Sequence, residues 1–262
     1  MKIMTLDEKI TFAIEKAIKE ADSIWEKVGD QFLNESKRAM FTNQLLKAQT
    51  ISHLPELPFL ENGKPIVANY IALVLDIRGS TDHLITAIQS KASQLRRVVT
   101  ETFVINAMGA IIIQHYEGAI TEYLGDGFLA FFKVEDEQNI EKRDADVTRA
   151  YRCAIKCLDK LDEILNPLLK KHYNLPPLKI GIGMAYSKAI VTVVGSEPNF
   201  QVKAIGQCVF RAAKMSGEIN QIATDDVLER IWPKAVKGKK GAVKFNKKTI
   251  DPRFPSFIIE RQ

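Results

Sequence analysis

The sequence predicts an α+β fold: a ferredoxin-like sheet with a βαββαβ core, preceded by an N-terminal helical extension. Two observations predict it. Apolar runs of strand length at Tyr70–Leu75, Ile120–Lys133 and Leu178–Ala185 alternate with longer stretches of helical periodicity, which is the element order of the split βαβ arrangement. Ahead of them lies one amphipathic segment, set off by proline and glycine punctuation. At 262 residues, with 46% of them hydrophobic, the chain can bury one substantial core.

The extension opens on Thr5-Leu-Asp-Glu8, a capping box. Behind it Ile10, Ile14, Ala17, Ala21, Ile24 and Val28 alternate spacings of four and three, which draws one apolar stripe on a helix. The stripe needs a partner. The same helix of a second subunit is expected in preference to the body of the domain. A second helical stretch at Ser36–Lys47 leads into a linker, Leu54-Pro-Glu-Leu-Pro-Phe59 and Asn62-Gly-Lys-Pro65. Residues 1–60 thus form the extension and residues 61–262 the main domain.

In the main domain Tyr70–Leu75 reads as a central strand covered on both faces, with Asp76 at its end. A helix is expected over Leu84–Ala107, closed by Gly109. Two β-rich runs, Ala110–Tyr116 and Ile120–Lys133, flank Glu117-Gly118 and predict a β-hairpin. A helix from Asn139 to Tyr173 should bend or break near Pro167. Strands follow at Leu178–Ala185 and Ile190–Val194, then a short helix near Gln207–Ile219 and a basic C-terminal β region ending at Phe257–Ile259.

The formal charge of +5 suits an anionic ligand and is too mild to indicate nucleic-acid binding. Its distribution is uneven, since Lys234–Lys248 holds seven lysines. Cys153, Cys157 and Cys208 make no even disulfide framework, and the charged N-terminus lacks the apolar core of a signal peptide. A reducing cytoplasm is the expected location, with the cysteines in the core. Uninterrupted apolar runs such as Ala110–Ile113 are too short to span a membrane.

The chemistry concentrates in two carboxylate motifs. Asp76-Ile-Arg-Gly-Ser-Thr81 sets a carboxylate after a buried strand, then a glycine and two hydroxyl residues that could turn N–H groups towards phosphates. Leu124-Gly-Asp126-Gly-Phe128 sets a second carboxylate between glycines. Two hard oxygen donors beside a phosphate cradle suit a pair of Mg²⁺ or Mn²⁺ ions. Each motif alone also reads as an ordinary turn.

Three segments together are more specific: Leu75–Thr81, Tyr123–Ala130 and Ala204–Met215. In this order and at these intervals they resemble the signature segments of class III adenylate and guanylate cyclases, over about Tyr70–Lys240. The resemblance implies a palm-type sheet and closure of a nucleoside triphosphate to its 3′,5′-cyclic monophosphate with release of pyrophosphate. Asp76 and Asp126 match the metal-binding aspartates, and Ile77 the residue whose backbone carbonyl also contacts a metal. Two divalent ions, Mn²⁺ or Mg²⁺, are implied at each site. So is a homodimer with active sites at the interface. Gly79, Ser80 and Thr81 would then cradle the substrate, and Lys237 in the basic segment would reach the triphosphate.

Some positions depart from the family. Where its transition-state Asn and Arg stand, this chain has Phe210 and Lys214. Lysine keeps the charge without the planar fork, and Arg211 next door is a further candidate. Four residues before Asp126 stands Glu122, and three before Gly206 stands Lys203, which matches neither purine template. The stand-alone length, the Asp76–Thr81 segment and the mixed base-site residues Glu122 and Lys203 are similar to the pyrimidine cyclases of bacterial anti-phage Pycsar systems. That narrower resemblance implies UTP as substrate, then CTP, and a separate effector that responds to the cyclic product. A purine cyclase and a catalytically silent nucleotide-binding module are the alternatives.

Overall fold

The computed structural model describes residues 4–35, 51–54, 57–59, 65–80, 92–173, 176–196, 199–233 and 243–261. The expected Ser36–Lys47 helix lies outside them. Helix α1, Leu6–Glu35, starts at the predicted box: Thr5 N–H donates to Glu8 Oε2 at 2.7 Å and Glu8 N–H to Thr5 Oγ1 at 3.2 Å. Two short strands, β1 at Ile51–Leu54 and β2 at Leu57–Phe59, pair with each other.

The main sheet begins with β3, Ile66–Ile77, and continues after helix α2, Ala92–His115, with β4, Ala119–Tyr123, and β5, Gly127–Val134. Helix α3, Ile140–Lys160, passes through a π-helical turn, Leu161–Leu165, into α4, Asn166–Tyr173. Then come β6, Ile180–Ser196; β7, Asn199–Gly206; α5, Gln207–Met215; β8, Ile222–Asp225; α6, Asp226–Arg230; β9, Val243–Lys247; and β10, Ser256–Arg261. The strand order is β4-β5-β3-β6-β8-β10-β9, with β7 pairing the far end of β6. The first four strands of that order are antiparallel neighbours, and they reproduce the predicted βαββαβ core.

Alternation along β3 sorts the interior into two layers. Ile71, Leu73, Leu75 and Ile77 face the larger core with α1, α2 and α3, while Ala72 and Val74 face a smaller one with α5. By the same period Asp76 belongs to the α5 side.

Several expectations need correction. The first half of the α1 stripe meets its own domain: Ile10, Ile14, Ala17 and Ile18 are buried in the larger core, Ala21 is buried, Ile24 stays exposed, and Asp22 accepts from Arg96 and Tyr173. Gly109 does not end α2. The helix passes so close to the sheet there that a Cβ would lie 2.1 Å from the Phe128 ring, and glycine is what permits the contact. Of Ala110–Tyr116, read as a strand, all but Tyr116 is therefore helical, because burial of Ile112 and Ile113 outweighs their β propensity. The hairpin turn lies at Leu124–Asp126, not at Glu117-Gly118. The two predicted C-terminal-half strands are one, β6. Near Pro167 the chain avoids a break by widening: Asn166 N–H bonds to Leu161 O, a π-type step ahead of the residue with no N–H.

Cys153, Cys157 and Cys208 are free and buried, as expected. Arg96–His115 is long and apolar enough to cross a membrane, but Val104, Ile105, Met108 and Ile112 within it are fully buried in the core.

Candidate active site

The two signature aspartates meet because the backbone makes them meet. β3 and β5 pair antiparallel so that Asp76 lies opposite Gly127, and Ile77 N–H donates to Asp126 O at 3.1 Å. Gly127 is required at this crossing, since a Cβ on it would sit 2.0 Å from Leu75 O. The turn closes through Leu124 N–H to Gly127 O at 2.8 Å, with Gly125 at φ 86°, a left-handed position that favours glycine. Ile77 keeps its side chain in the core, which leaves only its backbone for the site.

Arg78 and Ser80 complete this corner. The Arg78 guanidinium pairs with Asp76, and the Ser80 hydroxyl donates to Asp126. Burial pulls the Arg78 pKa below its ordinary value, and the charge of Asp126 opposes that pull. Gly79 takes φ 79° in the intervening turn. Thr81 lies outside the described residues, as does Lys237. Among the described residues no group of three or more His, Cys, Asp or Glu side chains gathers. Two carboxylates with a nearby backbone carbonyl still fit a Mg²⁺ or Mn²⁺ pair, because such ions commonly take one or two carboxylates and fill the remaining positions with phosphate oxygens and water. The guanidinium held at Asp76, with Asp126 near enough to act on its charge, shows that the corner accommodates positive charge.

The second corner joins Glu122 on β4 to Lys203 on β7. Lys203 Nζ donates to Glu122 Oε2 at 2.5 Å, and the Ala204 N–H donates to Oε1 at 3.3 Å. Both predicted base-contacting residues thus stand together in one chain. Neither is spent: the ammonium keeps two N–H groups and the carboxylate keeps lone pairs.

The α5 residues divide. Lys214 and Phe210 lie on the exposed side of the helix, with the ammonium 6.0 Å from the Phe210 ring centroid. Arg211 does not share that side. Its Nη1 donates to Asp225 at 2.9 Å and to Asp226 at 3.1 Å, and its guanidinium lies over Phe254. Asp225 is fully buried, and desolvation raises its pKa against the lowering pull of Arg211. Arg211 therefore ties α5 to the start of α6, a structural bond in place of the expected contact with substrate.

Two further cations escaped the sequence reading. Arg78 was visible inside the first motif but carried no expected role. Arg253, 4.6 Å above the Phe210 ring and paired with Asp251 at 2.5 Å, had no sequence signal, because it reaches α5 from a distant loop. The pairing holds the Asp251 carboxyl well below the usual range.

No protein-family model matches the chain. A uridylate cyclase from Gulbenkiania mobilis is 29% identical over 210 residues, which are 79% of this chain and 72% of that protein. Among solved structures, the guanylyl cyclase Cya2 superposes with a TM-score of 0.59 at 21% identity, over 77% of this chain and 95% of that one. The adenylyl cyclase CyaB from P. aeruginosa gives a TM-score of 0.58 at 17% identity, over 76% and 97%. The chain thus has the fold of these solved cyclases, and it is similar in sequence to a uridylate cyclase.

Proposed function

We propose that this chain is a nucleotidyl cyclase that converts UTP, and less readily CTP, to the 3′,5′-cyclic monophosphate and pyrophosphate. The observation that carries the reading is the joining of Asp76 and Asp126 at one corner of the sheet. Asp76, Asp126 and the Ile77 carbonyl would hold two Mn²⁺ or Mg²⁺ ions. Such ions, when bound, acidify the ribose 3′-hydroxyl and neutralise the leaving pyrophosphate. The chain's own residues position the substrate. Gly79 and Ser80 face the phosphates, and Lys214 supplies a cation to the triphosphate from the α5 side. Thr81 and Lys237 keep the phosphate-binding roles that the resemblance gives them.

Pyrimidine choice rests on Glu122 and Lys203. Uracil offers an N3–H donor beside carbonyl acceptors, so the carboxylate can accept from N3 while the ammonium donates to O4 or O2. Cytosine can give its N4 amine to the carboxylate and accept from the ammonium at N3 or O2. The uridylate cyclase relative supports the same choice. With it comes the wider reading: a homodimer in the bacterial cytoplasm, with active sites at its interface, making a second messenger for a separate anti-phage effector.

The test is turnover of each of the four ribonucleoside triphosphates by pure protein with Mn²⁺, followed as pyrophosphate and cyclic product. UTP should lead, then CTP. A preference for ATP or GTP would return the chain to the purine cyclases. No product from any of the four would favour a silent nucleotide-binding module, the reading to which Phe210 and the engaged Arg211 point.

A further inference from the structure

The Arg78 side chain stands where a metal pair would need positive charge, and the reading of Asp76 and Asp126 as metal ligands makes its position informative. Its backbone is fixed: the Arg78 N–H donates to Lys179 O at 2.8 Å, on the chain entering β6. Only the side chain is free to choose a place, and it pairs with Asp76 with its charge felt by Asp126. Two carboxylates forced together by strand register repel each other, and a guanidinium paired with one of them within the field of the other relieves that repulsion.

The ion pair is also less fully bonded than the one that ties α5 to α6. Arg211 sets both its acidic partners at the head of a helix and covers an aromatic ring. Arg78, by contrast, leaves its Nε buried without a hydrogen-bond partner. A buried donor left unmet weakens the docked state. The guanidinium is thus close enough to compensate the carboxylates and bound loosely enough to leave.

We propose that Arg78 is the built-in counter-cation of this corner, a positioning residue that offsets the charge of Asp76 and Asp126 until divalent metal displaces it. Two consequences follow. Metal alone binds weakly, because it must expel a resident charge. Metal and triphosphate bind cooperatively, because the displaced guanidinium lies at the Gly79–Ser80 turn and finds a new anionic partner in the phosphates.

The experiment measures Mn²⁺ binding by calorimetry and thermal unfolding of the nucleotide-free protein, for wild type and Arg78→Gln. The variant should bind Mn²⁺ about tenfold more tightly, unfold at a lower temperature without metal, and gain more from added Mn²⁺. Arg78→Lys keeps the charge but loses the fork, so its affinity should fall between the two; it also serves if the glutamine variant does not fold. Unchanged or weaker Mn²⁺ affinity in both variants would overturn the proposal. Equal Mn²⁺ binding by Asp76→Asn would place the ion elsewhere and remove the proposal's basis. Failure of the cyclase reading is distinguishable, since a folded protein inactive on all four triphosphates can still show the Arg78-dependent Mn²⁺ affinity.

Discussion

The two corners of the site are built by different means. Asp76 and Asp126 are brought together by main chain: a strand register, a backbone hydrogen bond and a glycine at a crossing too tight for any side chain. Glu122 and Lys203 are brought together by their own side chains, across strands that lie on opposite sides of β5, β3 and β6. A backbone-defined corner tolerates almost no sequence change, while a side-chain pair can be exchanged without disturbing the sheet. The difference teaches where chemistry and selectivity can reside. The reaction belongs to the rigid corner, and the choice of base to the exchangeable one.

The carboxylates are where substitution should cost most. Asp76→Ala and Asp126→Ala should each lower turnover by at least about a thousandfold, roughly 4 kcal/mol of transition-state stabilisation. The circular dichroism spectrum should not change, because neither side chain supports the core. Normal turnover in either variant would remove the metal assignment. The backbone can be attacked separately with Gly127→Ala, which leaves both carboxylates in place and drives a methyl group into the Leu75 carbonyl. That variant should lose about 3 kcal/mol of stability in urea unfolding, as overpacked sites do. A stable, active Gly127→Ala protein would show that the register is softer than argued.

The exchangeable corner should respond more mildly. Glu122→Ala and Lys203→Ala each leave the partner charge half-covered and unpaired, and each removes one contact to the base. The ratio of UTP to ATP turnover efficiency should fall by about ten- to a hundredfold, in keeping with about 1–3 kcal/mol for a stranded polar group. Product formation should persist with Mn²⁺, which separates this outcome from the loss expected at the carboxylates. An equal fall for all four triphosphates would mark the pair as structural.

How far the sequence foretold these corners depended on what made them. The βαββαβ order was legible because periodicity is local, and the capping box at Thr5 and Glu8 was legible for the same reason. Asp76 and Asp126 were found as motifs, although their meeting depends on a register no single segment contains. Errors arose where distant packing overruled local preference. Ile112 and Ile113 look like strand residues and lie in a helix, and Gly109 looks like a stop and is a contact with Phe128. The Ile10, Ile14 and Ala17 stripe was read correctly as a stripe, but periodicity says nothing of its partner, which proved to be the chain's own core. Arg211 was chosen for proximity in sequence, and its acid partners Asp225 and Asp226 come from an element that no pattern in α5 announces.

The smallest expected effect concerns the arrangement of the two corners between subunits. In the proposed homodimer, each site takes its carboxylate corner from one chain and its base-contacting corner from the other. Within one chain the Glu122–Lys203 pair is already formed, so it can act as a unit supplied to the partner. An Asp126→Ala subunit keeps a good base corner, and a Lys203→Ala subunit keeps a good carboxylate corner. Random mixing makes half the dimers mixed, and each mixed dimer regains one of its two sites, a gain read above the reduced UTP turnover that the Lys203→Ala parent keeps. Recovered UTP turnover should therefore approach about a quarter of wild type, a fourfold difference set by pairing statistics alone. Ile10, Ile14, Ala17 and Ala21 of the α1 stripe are buried in their own domain, so exchange is proven directly with differently tagged subunits. Proven exchange without recovery would mean that both corners serve one site within a single chain, and the division of labour between them would then be a matter of strand and side chain only, not of subunits.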